Sequence, residues 1–398
     1  MPETAVPYAF VDFGPAEFTK RIERTRRLMS SANLSALLIT TEANFRYFTG
    51  FRSQHWVMPT RPMFFVLPAA GEPVAIVPTG SLFNMRESSW VKEVRAWMAP
   101  QPGDDGVSLL IEALREATGP TGRIGAEFGP ELQLRMPIND FLRVREAIRP
   151  LDMVDGSDVM RRLRMVKSPA EVVRIRAAAQ LVSAAFKALP EALALGISER
   201  DACLSLQLDI LRRGADKIPY MIAASGPAGY QTINSDPSNR VLRRGDILII
   251  DTGSSIDGYF CDFDRNFAFG PPEDAARRAH DQVYAATDAG IAAVRPGARV
   301  SEVWQAMAAS LGREAVMAAS VGRMGHSVGL NLTEPPSIHP DDPTVIEVGM
   351  VLTVEPGVGY DTAAGERRVM VHEENLVVTE HGAELLSRRA PAAMPIIA

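Results

Sequence analysis

The sequence predicts an α/β domain followed by a second domain whose strands and helices gather around acidic side chains. Three observations lead there. The chain has 398 residues, too many for one ordinary domain and comfortable for two. Residues 1–160 alternate helical with strand-like apolar spacing, as a layered α/β domain does. Near Met165 the character changes: Ser168-Pro169-Ala170-Glu171 offers a capping serine, a proline at the first helical position and a glutamate three residues on. The boundary is therefore expected within residues 155–168, separating a domain of residues 1–160 from one of residues 161–398.

Within the first domain, residues 18–31 have helical apolar spacing and a basic exposed face. Short apolar runs at 35–41, 63–67 and 73–77 read as buried strands, the last two around a turn at Gly71. Residues 107–117 read as a second amphipathic helix and 123–128 as a further strand. Beyond the boundary, helices are expected from Ser168 to residue 189 and, capped by Ser198, to residue 213. Strands follow at 220–225, 246–253 and 259–269, helices at 273–294 and 300–311, and strands at 350–355 and 369–378. Two strand–helix groups around carboxylates suggest an internal pseudo-repeat.

The bulk numbers exclude several classes. Hydrophobic residues make up 46% and charged residues 23%, as in a soluble globular protein. A net charge of -6, with no dense Lys/Arg stripe, leaves no footprint for nucleic acid. No apolar run is long enough for a membrane helix, and residues 1–13 lack the basic start and apolar core of a signal peptide. A cytoplasmic location is expected. The two cysteines, Cys203 and Cys261, make no metal-binding spacing and read as buried thiols in a reducing compartment.

Residues 246–267 are the most informative stretch. Asp257-Gly258 between two β-rich runs signals a two-residue hairpin. Ile256 then faces Tyr259, Asp262 faces Gly253, and Asp264 faces Asp251. Side chains alternate along a strand, so Asp251 and Asp262 share a face as diagonal neighbours, roughly 7–8 Å apart at the backbone. Such a pair can bracket two cations about 3.5–4 Å apart. Burying both without compensation would be costly; the alternative is that one pairs with Arg265 while the other stays exposed. Three more elements favour the metal: His326 in Gly325-His326-Ser327-Val328-Gly329, Glu355 ending the apolar run Leu352-Thr353-Val354, and Glu373 in Val371-His372-Glu373-Glu374-Asn375.

The order and spacing of these residues resemble the pita-bread metallohydrolases, the family of prolidase, aminopeptidase P, methionine aminopeptidase and creatinase. That pattern has an aspartate opening D-x-G and a second aspartate eleven residues on, before x-x-R-x-F. Then come the histidine of G-H-x-x-G-L, the glutamate of E-P-G, and a glutamate introducing an apolar strand that ends V-T-E. Here these are Asp251, Asp262, His326, Glu355 and Glu373, in order. The first domain is similar to the accompanying creatinase-type domain, notably at Asn44-Phe45-Arg46-Tyr47-Phe48-Thr49-Gly50. The resemblance implies an α/β creatinase-type domain joined to a pita-bread α+β catalytic domain. It implies two divalent ions (Mn, Co, Zn or Fe) on those five ligands, activating a water that cleaves a C–N bond. Glu355 would act as general base and acid, with His326 and Asp264 beside it. It further implies a small-molecule or short-peptide substrate and a homodimer, in which residues 50–56 cover the partner's site. Arg52 and Trp56 would then meet the substrate as exposed side chains, unless that loop is ordinary and Trp56 belongs to the core.

The pattern also departs from the family's peptidases, which add histidines and an arginine to hold the substrate. The histidine seventeen residues before the first aspartate is Asn234 here, and the one four before His326 is Gly322. The one seven after it is Thr333, in Thr333-Glu334-Pro335-Pro336, and the arginine two before the last glutamate is Val371. Asn234, Thr333 and Glu334 are thus expected to face the substrate. Asp264 stands where the family more often has a threonine; it is expected either to reach out and pair with an arginine such as Arg265 or Arg240, or to orient water or the substrate's cationic group. The expected reaction is hydrolysis of a small non-standard amide or amidine. The alternatives are a true Xaa-Pro dipeptidase or aminopeptidase, a metal-dependent lyase, and a silent binding protein. The lyase pattern carries D-x-D where this chain has Asp251-Thr252-Gly253, and silent relatives usually lose ligands.

Overall fold

Strands buried on both faces read as continuous apolar runs, and those of the first domain do so. Ala36–Ile39, Phe64–Pro68 and Val74–Pro78 are buried at every position. A computed structural model describes residues 13–58, 60–312 and 322–398 and divides the chain into two units, Val11–Arg164 and Met165–Ala398. The first holds one six-stranded sheet, ordered Glu93–Trp97, Val74–Pro78, Phe64–Pro68, Ala36–Ile39, Arg123–Ala126, Asp152–Asp155. Leu38, Ile76, Leu110, Leu114 and Ile124 form its core. The two outermost strands were not anticipated, because their half-exposed positions carry charged residues that interrupt the apolar pattern.

The motif from Asn44 to Gly50 is a helix, Glu42–Thr49, ended by Gly50 at φ 73°, a left-handed conformation that suits glycine. Asn44 is buried, donates to Glu127 Oε1 (2.6 Å) and accepts from Arg164 (2.7 Å).

In the second unit, helix Pro169–Ala188 begins with the expected capping box of Ser168 and Glu171. Helix Glu199–Arg212 has another, from Ser198 and Asp201. Two antiparallel-rich sheets follow. One is ordered Ile396–Ile397, Phe263–Phe269, Asp246–Thr252, Met221–Pro227. The other is ordered Glu334–Ser337, His326–Ser327, Val351–Val354, Glu374–Thr379, Gly382–Leu385. Ile247 and Ile249 of the first sheet and Leu352 and Leu376 of the second share a core with Val283, Val303 and Met307. The last three lie on helices Asp274–Ala293 and Val300–Leu311. No helix among the described residues is long and apolar enough to cross a membrane.

Two runs expected as single strands are each broken. Residues 259–269 form Tyr259–Phe260 and Phe263–Phe269, with Cys261 and Asp262 outside the ladder. Pairing keeps one register across the gap, Tyr259 opposite Ile256 and Asp264 opposite Asp251, so the hairpin arithmetic holds. The expected pairing of Asp262 with Gly253 does not form. Asp262 N–H donates instead to Asn375 Oδ1 (2.9 Å), and a Cβ on Gly253 would collide with the Cys261 carbonyl oxygen. Residues 369–378 likewise divide into Arg367–Val371, paired with Gly357–Asp361, and Glu374–Thr379, paired with Val351–Val354. The chain changes partners at His372-Glu373.

Gly253→Ala should therefore destabilise the protein by about 1–3 kcal/mol, the usual cost of overpacking. The measurement is the urea midpoint at unchanged m value; a wild-type midpoint would show that the two strand ends separate freely.

Candidate metal centre

Each sheet delivers acids to one place. On the four-stranded sheet, Asp251 sits one residue from its strand end and directly opposes Asp264. Asp262 lies in the break, where Asn375 takes its N–H at 2.9 Å and donates to its carbonyl at 2.6 Å. On the five-stranded sheet the last paired residues are Val354 and Glu374. Glu355 and Glu373 are their immediate neighbours, so both glutamates leave the same end of one antiparallel pair. His326 reaches the place from the adjoining strand, its N–H donating to Thr353 Oγ1 at 3.1 Å. Its Nδ1 lies 2.9 Å from the Ser327 carbonyl, which presents Nε2 to Asp262 Oδ2 at 3.3 Å. Donor atoms of Asp262, His326 and Glu373 all lie within 4.8 Å of one another.

The charge in this place is unbalanced. Burial and the neighbouring carboxylates push Asp251 and Glu373 well above the usual carboxylate range. Glu355 is raised chiefly by burial, and Asp264, raised by the same cause, is pushed up to about 8. Burial alone would lower His326, but its contact with Asp262 and the charge of Glu355 hold it above its ordinary value. The Tyr220 hydroxyl faces Asp251 Oδ1 at 3.1 Å and Asp262 Oδ1 more closely, yet one hydroxyl has one proton to give. Asp264 Oδ1 and Glu373 Oε1 are buried with no hydrogen-bond partner among the described residues. Orphaned buried oxygens are expensive, and a cation is the group that relieves them. The donor set, carboxylates and one imidazole, suits hard to borderline divalent ions. The residues present fit a metal.

The neighbouring glutamates show the contrast. Glu374 is fully buried and receives Arg265 at 3.0 Å, Arg389 at 3.3 Å and the Ala390 N–H at 2.9 Å. Glu373 has no such guanidinium among the described residues. Alternation at the strand start turns one toward two arginines and the other into the acidic cluster.

Other expectations need correction. Asp264 pairs with neither Arg265 nor Arg240, whose carboxylate partners are Glu374 and Asp246. Trp56 is not an exposed aromatic: it lies in a short 3-10 helix, Gln54–Val57, is 7% exposed, and packs on Phe45 with Arg135 over its ring. Arg52 is exposed beside it. Glu334 is not presented to a ligand; it is buried, accepting from Lys167 at 3.3 Å and from the Asn331 N–H at 3.0 Å. Asn234 is exposed in a loop, and Thr333 is half-buried with Arg323 Nη2 3.5 Å from its hydroxyl.

Sequence reasoning missed four residues here. Tyr220 gave no signal beyond an aromatic at a strand start. Asn375 and Arg265 lay inside the quoted motifs, but their roles depend on the second sheet: Arg265 also donates to the Glu373 carbonyl at 3.0 Å. Arg323 has Nε 3.7 Å from Glu355 Oε1 and was legible only as a cation three residues before His326.

Comparison with known proteins agrees with this geometry. Residues 173–380, more than half the chain, match metallopeptidase family M24, and residues 21–166 match the creatinase/prolidase N-terminal domain. The probable dipeptidase PepE of Mycobacterium tuberculosis is 29% identical over 379 residues, covering 93% of this chain and 94% of its own. The crystal structure of dipeptidase PepE from Mycobacterium ulcerans superposes with a TM-score of 0.83 at 27% identity, over 97% of this chain and 100% of that one. A prolidase from Thermococcus sibiricus shares the fold, with a TM-score of 0.84 at 23% identity over 96% and 100% of the two chains. The chain therefore belongs to metallopeptidase family M24, with the pita-bread fold and its creatinase-type N-terminal domain, and is a metal-dependent hydrolase of C–N peptide bonds.

Proposed function

We propose that this protein hydrolyses the C–N bond of a small substrate, a dipeptide or an amide of similar size, and handles Xaa-Pro dipeptides poorly. The observation that carries the reading is a contrast within one site. The acidic donors are assembled with oxygens left over for cations, while Asn234, Gly322, Thr333 and Val371 offer no imidazole or guanidinium to a peptide. The name of PepE as a dipeptidase supports a short substrate. A non-peptide amide is the second reading, favoured by the same missing side chains.

In this proposal Asp251, Asp262, His326, Glu355 and Glu373 would hold two divalent ions, which would supply Lewis acidity toward the scissile carbonyl and toward water. Glu355 is the proton carrier. Its side chain is 20% exposed, open to the solvent side of the cluster where water and substrate must enter. It takes a proton from the attacking water as the C–O bond forms, and delivers it to the departing nitrogen as the C–N bond breaks. Asp264, across the strands from Asp251, orients water or substrate rather than carrying the proton.

Asp262→Asn or Glu373→Gln should lose metal at one or both positions, together with activity. Elemental analysis reads the first effect independently of the second, and full occupancy in either variant removes the ligand assignment. Turnover of Xaa-Pro dipeptides should stay below the ordinary enzyme range of about 10⁴ M⁻¹s⁻¹ in kcat/KM; efficient turnover would restore a prolidase. Asp264→Thr should keep its metal and lower kcat by about 10²-fold, the scale of positioned acid–base groups. A wild-type rate on the best substrate would make Asp264 structural.

A further inference from the structure

A cavity of about 260 Å³ opens in the second unit, and none of Asp251, Asp262, His326, Glu355 or Glu373 lines it. Its apolar walls are Phe186, Phe267, Pro391 and Pro395, with the two phenyl rings stacked at a centroid separation of 6.5 Å. Phe186 comes from helix Pro169–Ala188 and Phe267 from strand Phe263–Phe269, so packed elements hold both rings. Apolar walls around a few convergent polar groups are the usual make-up of a small-molecule site.

The charged groups here are cations. Arg265 and Arg389 line the cavity but are already matched, Arg265 to Glu374 at 3.0 Å and Arg389 to Asp288 at 2.9 Å and Glu374 at 3.3 Å. Lys187 and Arg388 differ. Both line the cavity with exposed side chains, and neither has an acidic partner among the described residues. The Arg388 backbone is nevertheless fixed: its N–H donates to Ser183 Oγ at 2.9 Å and its carbonyl accepts from Arg265 at 2.6 Å. No carboxylate among the described residues lines the cavity, so these two charges are available to an anion.

His280 adds a buried polar group. It lines the same cavity, is 4% exposed, and its Nδ1 stands 4.0 Å from Asp281 Oδ1, beyond a hydrogen bond. Neither ring nitrogen has a hydrogen-bond partner among the described residues. Burial holds the ring below its ordinary value, so it is neutral at pH 7, with one N–H to give and one nitrogen to accept. A polar group so little exposed is costly to leave unmatched, and a polar atom of a ligand in the cavity would match it.

We propose that this cavity is a second ligand site, which takes a small carboxylate with a flat apolar body and one further polar group. The carboxylate meets Lys187 and Arg388 at the exposed edge, the body lies against Phe186 and Phe267, and the polar group reaches the buried His280. About 260 Å³ is room for one substituted ring, so the ligand class is a hydroxylated aromatic acid. The site is independent of the substrate reading above and takes no part in cleaving the C–N bond.

The probe is para-hydroxybenzoate carrying one bromine beside the hydroxyl, with its carboxamide as the neutral control. Calorimetric titration of the manganese-loaded full chain reads affinity, and the anomalous signal of bromine in soaked crystals reads location. Wild type should bind the acid about tenfold more tightly than the amide, the scale of a charge-assisted contact, with bromine in the cavity beside Phe186 and Phe267. Lys187→Met combined with Arg388→Met changes exposed side chains only and should bind acid and amide alike. His280→Phe should weaken both forms severalfold and keep the preference for the acid. Binding of neither form by wild type, equal binding of the two, or bromine at the acidic cluster alone overturns the proposal. So does an acid preference that survives the double substitution, or wild-type affinity in His280→Phe.

Discussion

Mutual repulsion among buried and half-buried carboxylates is the constraint around which the second domain is organised. Asp251, Asp262, Asp264, Glu355 and Glu373 converge with one imidazole and one phenolic proton to offset them. A fold left to itself would relax by swinging these acids into solvent, since an unpaired buried charge costs several kcal/mol or more. The structure prevents this by holding backbone rather than side chain. The Asn375 amide grips Asp262 on both its N–H and its carbonyl, and Arg265 grips the carbonyls of Asp264 and Glu373. Asn375 carries no charge, and Arg265, although its charge partly offsets Asp264, gives its hydrogen bonds to Glu374 and to carbonyls.

The same logic extends outward. Lys167 donates to Ser327 Oγ at 2.6 Å and to Glu334 Oε2 at 3.3 Å, with Glu334 also holding the Asn331 N–H. This brace fixes the strand that carries His326 and the loop after it. His372 beside Glu373 is kept neutral: burial and the charges of Arg265 and Arg389 hold it well below its ordinary value. It adds no positive charge to the acidic side. Apart from Arg323, 3.7 Å from Glu355, the guanidinium groups around the cluster act as hydrogen-bond donors to Glu374 and to carbonyls.

Much of this was legible in the sequence, for identifiable reasons. The Asp257-Gly258 turn fixes a register, and a register fixes which residues face each other, so Asp264 opposite Asp251 follows from local information alone. The capping box at Ser168 and the long apolar strands are equally local. What escaped depends on the second sheet. The break at Cys261-Asp262 exists because Asn375 competes for the Asp262 N–H, and Asn375 lies far along the chain. The division at His372-Glu373 escaped because both halves are apolar β-formers, and only their different partners separate them. The burial of Trp56 turned on Phe45 and Arg135, which no short window contains.

The acidic side chains are divided between two sheets, and this has a consequence for biosynthesis. A chain is made from its N-terminus, and the Asp251–Asp264 hairpin emerges well before the strands bearing Glu355 and Glu373. Until those strands arrive, Asp262 lacks Asn375 and the hairpin lacks the second sheet it packs against. A nascent chain therefore passes through a stage in which its acids are hydrated, separated and poor at retaining any cation. The acidic cluster is therefore complete only in the nearly finished polypeptide, once the strands beside Glu355 and Glu373 have paired.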